Sequence, residues 1–471
     1  MNKFKLFIEN FIIYGLGGII SKIIPLVMVP IVTRMMPDTS YFGISDLSNT
    51  ILALCSSLAI MGMYDAMYRM FFEKEDEGYK KDICSTAFIF TIFSSLVIFV
   101  AMILARNLIA RWFLGDSQYG YLVYIVAIAV LVGSTNTILS APTRMQNKRM
   151  IYLITNAASP LLSYAVAIPL LLNGHYIIAL PVSGMVAGIT MEIAFGILNH
   201  SWFSFRRFNL DYLKQMLLIA VPLLPNFLIY WIFNSSDRLM ITNLIGLGAS
   251  GIYSVGAKLG NASQLIYIAF GGGWQYFAFS TMKDTNQVES NSRIFEYLGV
   301  ISFVCATFIF ALSQSFYELL FTGEYVAGYI VAPYLFLAPL LQMLFQVACN
   351  QFLVVKKTWP NFFILSLGAV VNVFLNLALI PRFGIEGAAI ATLIGYVVSD
   401  ILAVIVLTRM KLMRVQLKFF GGAIIMVLFM AIWRLLAVDS PMLGLVLALC
   451  ASLMIAWPYA GDVRMLFGSK K

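Results

Sequence analysis

Apolar runs close to twenty residues long recur from one end of this chain to the other, separated by short polar stretches. Fourteen stand out, at about 11–33, 41–66, 83–105, 120–142, 151–172, 177–198, 213–236, 247–272, 294–314, 328–353, 360–380, 386–408, 419–437 and 442–460. About 20 residues of helix cross a hydrocarbon core of ~30 Å. The pattern therefore predicts an all-α polytopic membrane protein with about 14 transmembrane helices. The first run follows Lys3 and Lys5, as in a signal peptide, but it continues past Pro25 to Ile31 without a small-x-small cleavage site. It reads as an uncleaved first helix.

The pattern repeats at an offset of 208. RWFLGDSQYGYLV from Arg111 lies over LLFTGEYVAGYIV from Leu319, which pairs Phe113 with Phe321, Gly115 with Gly323 and Gly120 with Gly328. The same offset pairs Gly43 with Gly251, Lys148 with Lys356, and Glu192 with Asp400. Each half holds six spans, an even number, so both halves start on the same side and the repeats are parallel. Such repeats build transporters whose substrate site lies near the midplane. The expected organisation is a six-helix lobe over 1–208, a second over 209–411, and two added helices with a cytoplasmic tail over 412–471.

Composition agrees with that reading and changes it in one respect. Charged residues are 11% of the chain, where a soluble protein has about a quarter. The net charge of +9 suggests nucleic acid only until the charges are placed. With the N-terminus inside, 23 of the 31 Lys and Arg fall in inner loops and tails. Outer segments hold six: Arg34, Arg106, Arg111, Arg238, Arg382 and Arg434. This is the positive-inside asymmetry, and it predicts cytoplasmic termini. The five cysteines lack metal-ligand spacing and sit in or beside spans. No metal cluster, phosphate loop or nucleophile–base pair is legible, so neither an enzyme nor a metalloprotein is indicated. The stretch RMFFEKEDEGYKKD, 69–82, reads as a solvated turn.

Two basic residues remain, both inside spans. Lys22 and Lys258 each lie 11 residues past a span start, about 16 Å deep at 1.5 Å per residue. Charge at that depth costs ~2.5–3.5 kcal/mol on insertion scales and marks a functional site by default. Lys258 shares a helix face with Ser250, Ser254, Asn261 and Gln264. Weaker stripes run through Asp46, Asn49, Thr50 and Ser56; Asn226, Tyr230 and Asn234; Gln342, Gln346 and Asn350; and Asn372 with Asn376. Any one stripe is explained as well by interhelical hydrogen bonds. All of them together favour a wet central cavity. Asp237 and Arg238 lie at the outer end of the seventh span, their side chains ~100° apart around a helix. Snorkelling accounts for Arg34 and Arg238 as well as function does; acids snorkel poorly, and Arg34 is one candidate partner for Asp237. Glu192 and Asp400 read equally as packing pairs or as ion or proton sites. Pro25, Pro30, Pro222 and Pro225, with Gly15, Gly17 and Gly18, place breakers in spans one and seven, where kinked helices can gate.

SSDRLMITNLIGLGASGIYSVGAKL, 235–259, resembles the seventh-to-eighth span signature of the polysaccharide transporter family, the Wzx-type flippases of the MOP superfamily. Asp237, Arg238, Gly251, Ile252, Tyr253 and Ser254 carry the match. TRMMPDTSYFG, 33–43, looks like the same element in the first half, and FGIEGAAIAT, 383–392, resembles the family's twelfth-span start. Trp274 fits its place after span eight, although Tyr276, Phe277 and Ala278 stand where a proline is expected. The resemblance implies two lobes in a V around a cationic cavity, in a bacterial cytoplasmic membrane. It also implies an undecaprenyl-diphosphate-linked oligosaccharide as substrate, moved outward by alternating access for capsule, exopolysaccharide or O-antigen synthesis. The polysaccharide polymerase and export machinery would be its partners. On this reading Lys22 and Lys258 bind the diphosphate, Arg34 and Arg238 assist at the outer mouth, and Asn226 and Asn261 complete the substrate-binding set. Asp46, Asp237, Glu192 and Asp400 are candidates for gating or for proton or sodium coupling, with no cofactor. A lipid II flippase is the nearest rival. A multidrug cation antiporter would want an acid where Lys22 stands. A glycan polymerase would need a larger outer loop than 106–119 or 315–327 supplies.

Overall fold

The computed structural model describes residues 3–268, 270, 274, 278, 286–355, 357 and 359–462, with side chains from residue 19 onward. The described residues are helical and contain no strand. They pack as two compact units, Met1–Gly251 and Ile252–Lys471.

The first unit runs through α1 (Lys3–Met35), α2 (Thr39–Ile60), α3 (Met63–Phe71), α4 (Glu77–Leu104), α5 (Arg106–Phe113), α6 (Gly120–Met145), α7 (Arg149–Leu172), α8 (Tyr176–Leu198), α9 (Leu210–Ala220) and α10 (Leu224–Leu244). The next helix, α11 (Leu247–Gly260), carries the chain from the first unit into the second. The second unit continues with α12 (Gln287–Leu320), α13 (Ala332–Val354), α14 (Trp359–Arg409), α15 (Leu417–Ile432) and α16 (Pro441–Ala456).

Among the described residues, eleven helical segments are long and apolar enough to span a membrane. They answer to twelve of the expected crossings, because α14 holds two helices joined at Gly384, whose φ of 60° and ψ of −140° are not helical. Of the other two, 11–33 lies within α1, and 247–272 falls partly outside the described residues. Their outward faces are apolar: on α4, Phe93, Val97, Val100 and Leu104 are exposed at helical spacing. In water such a stripe would be an aggregation hazard; against acyl chains it is ordinary.

Within the first unit α6 packs against α2, α4 and α8, and α1 lies along α7. Proline shapes two of these helices. α1 runs on through Pro25 and Pro30, and the Thr33 hydroxyl donates to the Val29 and Pro30 carbonyls at 2.9 and 3.1 Å. Pro222 and Pro225 instead separate α9 from α10 through a 3-10 turn at Val221–Leu223. Freed backbone groups are tolerated at membrane depth only where protein or a cavity satisfies them.

The stretch at 69–82 is less solvated than expected. Met70 and Phe71 are buried in the core of the first unit. The exposed part is short, and ion pairs Lys80–Glu75 (2.9 Å) and Lys81–Glu77 (2.7 Å) brace it.

In the second unit the two added helices pack on α12. Glu296 of α12 accepts from the Gln416 backbone N–H at 2.8 Å and from the Tyr459 hydroxyl at 3.0 Å. Thr307 and Ser452 hydroxyls meet at 2.9 Å. Phe310 receives the edge-on ring of Trp433 at 5.0 Å. α15 and α16 are therefore built into the core of this unit.

Candidate functional site

The loop TRMMPDTSYFG begins α2 with a cap. Asp38 accepts from the Ser40 backbone N–H at 2.7 Å, and the Ser40 side chain and backbone together hold its carboxyl below the usual range. The helix that follows is pressed against the start of α11. A Cβ on Gly251 would lie 1.9 Å from the Thr39 carbonyl oxygen, and one on Gly43 would lie 2.5 Å from the Leu247 carbonyl oxygen. These two glycines are the repeat-related pair, and the backbone N–H of one faces the Cβ position of the other. Small residues allow such close crossings between membrane helices.

That crossing places α2 beside α10, where Trp231 Nε1 donates to the Thr50 carbonyl at 3.1 Å. One turn before Thr50, Asp46 Oδ2 lies 2.6 Å from Arg238 Nε in a buried ion pair. Asp237 Oδ1 accepts from the Arg238 backbone N–H at 2.8 Å and lies 3.7 Å from Arg238 Nη1. The guanidinium also donates to the Asn234 carbonyl. Two carboxylates thus flank one arginine.

This corrects two expectations. The sequence pattern puts the pair at the outer end of span seven, but Thr242 and Asn243 continue the helix to Leu244. Asp237 and Arg238 lie about 10 Å inside it at 1.5 Å per residue. Adjacent positions do diverge around the helix, yet the length of the arginine side chain lets its head turn back toward Asp237 while reaching Asp46. Arg238 is 12% exposed at its side chain, too buried for snorkelling to account for it.

The remaining candidates are spread over both units. Lys22 and Arg34 are exposed side chains on α1 of the first unit, and Asn226 is half-buried on α10. Lys258 on α11 and Asn261 in the following 3-10 turn are half-buried in the second unit. The Glu192 carboxylate on α8 accepts from the Thr135 hydroxyl on α6. Its repeat equivalent Asp400 is buried on α14, and among the described residues neither of its carboxylate oxygens has a hydrogen-bond partner. The Asn372 and Asn376 stripe faces protein: both are fully buried, Asn372 donating to Thr392 at 3.1 Å and Asn376 to Asn372 at 3.3 Å. Thr392 lies beyond the Gly384 break, so Asn372 makes an interhelical bond, while Asn376 bonds one turn back along its own helix.

FGIEGAAIAT also gains a structural reason. Glu386, buried, accepts from Tyr334 at 3.0 Å and from Arg434 Nε at 2.7 Å. This ties the restart of α14 after Gly384 to α13 and to the π turn at Trp433–Ala437. Arg434 stood only as an outer charge in the sequence.

A cavity of about 680 Å³ opens inside the first unit, lined by Ser21 and Tyr64 and by residues of α6, α7 and α8. Its polar lining includes Asn136, Thr137, Ser140, Thr155, Asn156 and Ser159. Arg144 donates to the Tyr64 hydroxyl at 3.0 Å and lies 5.2 Å from the Tyr152 ring centroid. Ala187, Met191 and Phe195 supply an apolar side. The signal was there: 136, 137, 140, 143 and 144 on α6, and 152, 155, 156, 159 and 163 on α7, follow steps of three and four.

Helices of membrane-spanning length and apolarity, with a buried ion pair between α2 and α10 and an open polar cavity, make this a multi-pass membrane protein. A profile of the polysaccharide biosynthesis protein family matches residues 7–276, and the chain belongs to that family. Among solved structures the fold is similar to "Lipid II flippase MurJ, inward closed conformation", with a TM-score of 0.73 and 14% identity over 96% of this chain and 99% of that one. It is similar also to an inward-facing multidrug resistance MATE family transporter of the MOP superfamily, with a TM-score of 0.66 and 12% identity over 84% of this chain and 94% of that one. A MATE in the straight conformation follows with a TM-score of 0.60 and 13% identity over 86% and 95%. No curated protein matches by sequence.

Proposed function

We propose that the chain is a flippase for an undecaprenyl-diphosphate-linked oligosaccharide, carried from the cytoplasmic to the outer leaflet of a bacterial plasma membrane by alternating access, with both termini cytoplasmic. The six-helix lobes of 1–208 and 209–411 are its moving parts. The observation that carries the reading is membership of the polysaccharide biosynthesis protein family in a chain with a flippase-type fold. The chemistry is consistent with it. A diphosphate entering low dielectric loses hydration worth many kcal/mol, and fixed cations offset that loss. Lys22 and Lys258 supply those cations, with Arg34 at the outer mouth and Asn226 and Asn261 as polar neighbours. Arg238, held by Asp46 and Asp237, is better suited to gating than to direct contact. Glu192 and Asp400 are the coupling candidates for protons or sodium.

Deletion of the gene should cause undecaprenyl-linked oligosaccharide to accumulate in the inner leaflet, read by mass spectrometry of extracted lipids. A lipid II flippase is the second reading, favoured by the fold likeness to MurJ; accumulation of lipid II would establish it instead. Lys22→Ala with Lys258→Ala should lower transport at least tenfold at equal expression, about 1.4 kcal/mol or more of lost stabilisation. Wild-type rates in both single variants and the double variant would remove the lysines from the mechanism.

A further inference from the structure

The cavity of the first unit is not accounted for by phosphate binding. Of its described lining residues Arg144 is the one that carries charge, and no carboxylate is among them. A metal or organic cation would want carboxylates. A diphosphate would want more than one cation, and the Arg144 head already lies against Tyr64 and Tyr152.

What the walls offer is neutral hydrogen bonding. Thr137 and Thr155 hydroxyls donate to the Gly133 and Ile151 carbonyls, each at 2.8 Å, and Ser140 donates to the Thr137 carbonyl at 3.2 Å. Their protons are thus spent on the helix, while oxygen lone pairs remain as acceptors. Asn156 gives one amide proton to the Tyr152 carbonyl at 2.9 Å, which leaves a second proton and the amide oxygen. Asn136 also lines the cavity. A wall rich in acceptors, with amide donors interspersed and an aromatic and apolar side, complements a polyhydroxylated ring that has hydroxyl edges and C–H faces. The volume of about 680 Å³ falls in the ~300–1,000 Å³ range of small-ligand sites.

Position adds a second argument. Ser21 lines the cavity, and Lys22 is the next residue along α1, about 3.8 Å away at Cα. Neighbouring side chains diverge by ~100° around a helix, so Lys22 does not itself line the cavity; a sugar joined through two phosphates to a site at Lys22 has the length to reach around the helix into it.

We propose that this cavity is a carbohydrate subsite, taking the neutral sugar joined to the diphosphate and so setting which lipid-linked glycan is accepted. The proposal rests on the flippase reading above. Asn136, Asn156, Thr137 and Ser140 recognise hydroxyl groups, and Tyr152 and Phe195 receive the ring faces.

The test compares lipid binding to the full-length protein in nanodiscs, with undecaprenyl diphosphate and with the same lipid bearing one glucose, galactose or N-acetylglucosamine. Wild type should bind at least one glycosylated lipid about tenfold more tightly than the bare lipid, equivalent to ~1.4 kcal/mol. Asn136→Ala with Asn156→Ala should abolish that preference and leave affinity for the bare lipid within about twofold. Gly184→Leu provides a second route. Gly184 lines the cavity, and a Cβ there meets no atom within 4 Å, so the larger side chain can fill the space without moving backbone. It should also erase the preference, with an unchanged melting temperature showing that the fold is intact. Loss of affinity for bare and glycosylated lipids alike would make the cavity a phosphate site and overturn the proposal. So would a preference that survives both variants, or no preference for any of the three sugars. Wild type that binds none of these lipids would overturn the flippase reading itself, and the subsite with it.

Discussion

At the scale of residues, the most informative charge is Arg238. A guanidinium at membrane depth needs a partner, and its partners are Asp46 from another helix at 2.6 Å and Asp237 from its own. Removing one member of a buried pair leaves the other uncompensated, which costs ~3–5 kcal/mol in measured cases. Asp46→Ala and Arg238→Ala should each lower the melting temperature in detergent sharply. The double variant should lose less than the sum, with a coupling of about 0.5–3 kcal/mol. Additive losses would show that the pair acts independently. Sequence brought all three residues to attention, each for a separate reason, and assigned Asp46 and Arg238 to different tasks. The pairing was hidden because they stand almost two hundred positions apart, and no periodicity links residues at that distance.

At the scale of elements, glycine decides how close the helices come. The Gly43 and Gly251 crossing leaves no room for a methyl group, since a Cβ on Gly251 would overlap the Thr39 carbonyl. Gly251→Ala should force α2 and α11 apart, costing ~1–3 kcal/mol as overpacking does, visible as a lower melting temperature and weaker protection of the 33–43 amides in hydrogen exchange. An unchanged melting temperature would mean the contact is loose. Here the sequence was nearly sufficient. The 208-residue offset pairs the two glycines, and parallel repeats related by an axis bring equivalent positions together near that axis. The same pattern left the proline-bearing spans undecided. α1 continues as α-helix through its prolines, whereas the α9 to α10 junction tightens into a 3-10 turn, because a proline's effect depends on whether nearby groups can satisfy the freed carbonyls.

At the scale of the whole molecule, the last two helices stand outside the repeat in sequence but inside the second unit in structure. Glu296 holds Tyr459 and the Gln416 backbone, Glu386 holds Arg434, and Trp433 is buried against Phe310. A chain ending at residue 411 would leave Glu296 and Glu386 without these partners in an apolar setting. It should fail to accumulate as a monodisperse species in fluorescence-detected size exclusion. A monodisperse truncated chain would make α15 and α16 accessory.

The apolar pattern by itself determined that this chain is helical and that it is built to cross a membrane many times, because a bilayer reads hydrophobic length locally and allows few alternatives. Motif resemblance led to the family. Only the tertiary structure decided which polar residues face one another: that Asp46 takes Arg238, that Asn372 and Asn376 bond within a helix packing, and that the α6 and α7 polar stripes enclose a cavity. The physical reason is the same in each case. A polar side chain at membrane depth must find a partner, but which partner depends on the register of distant helices, and that register is set by close packing rather than by local pattern.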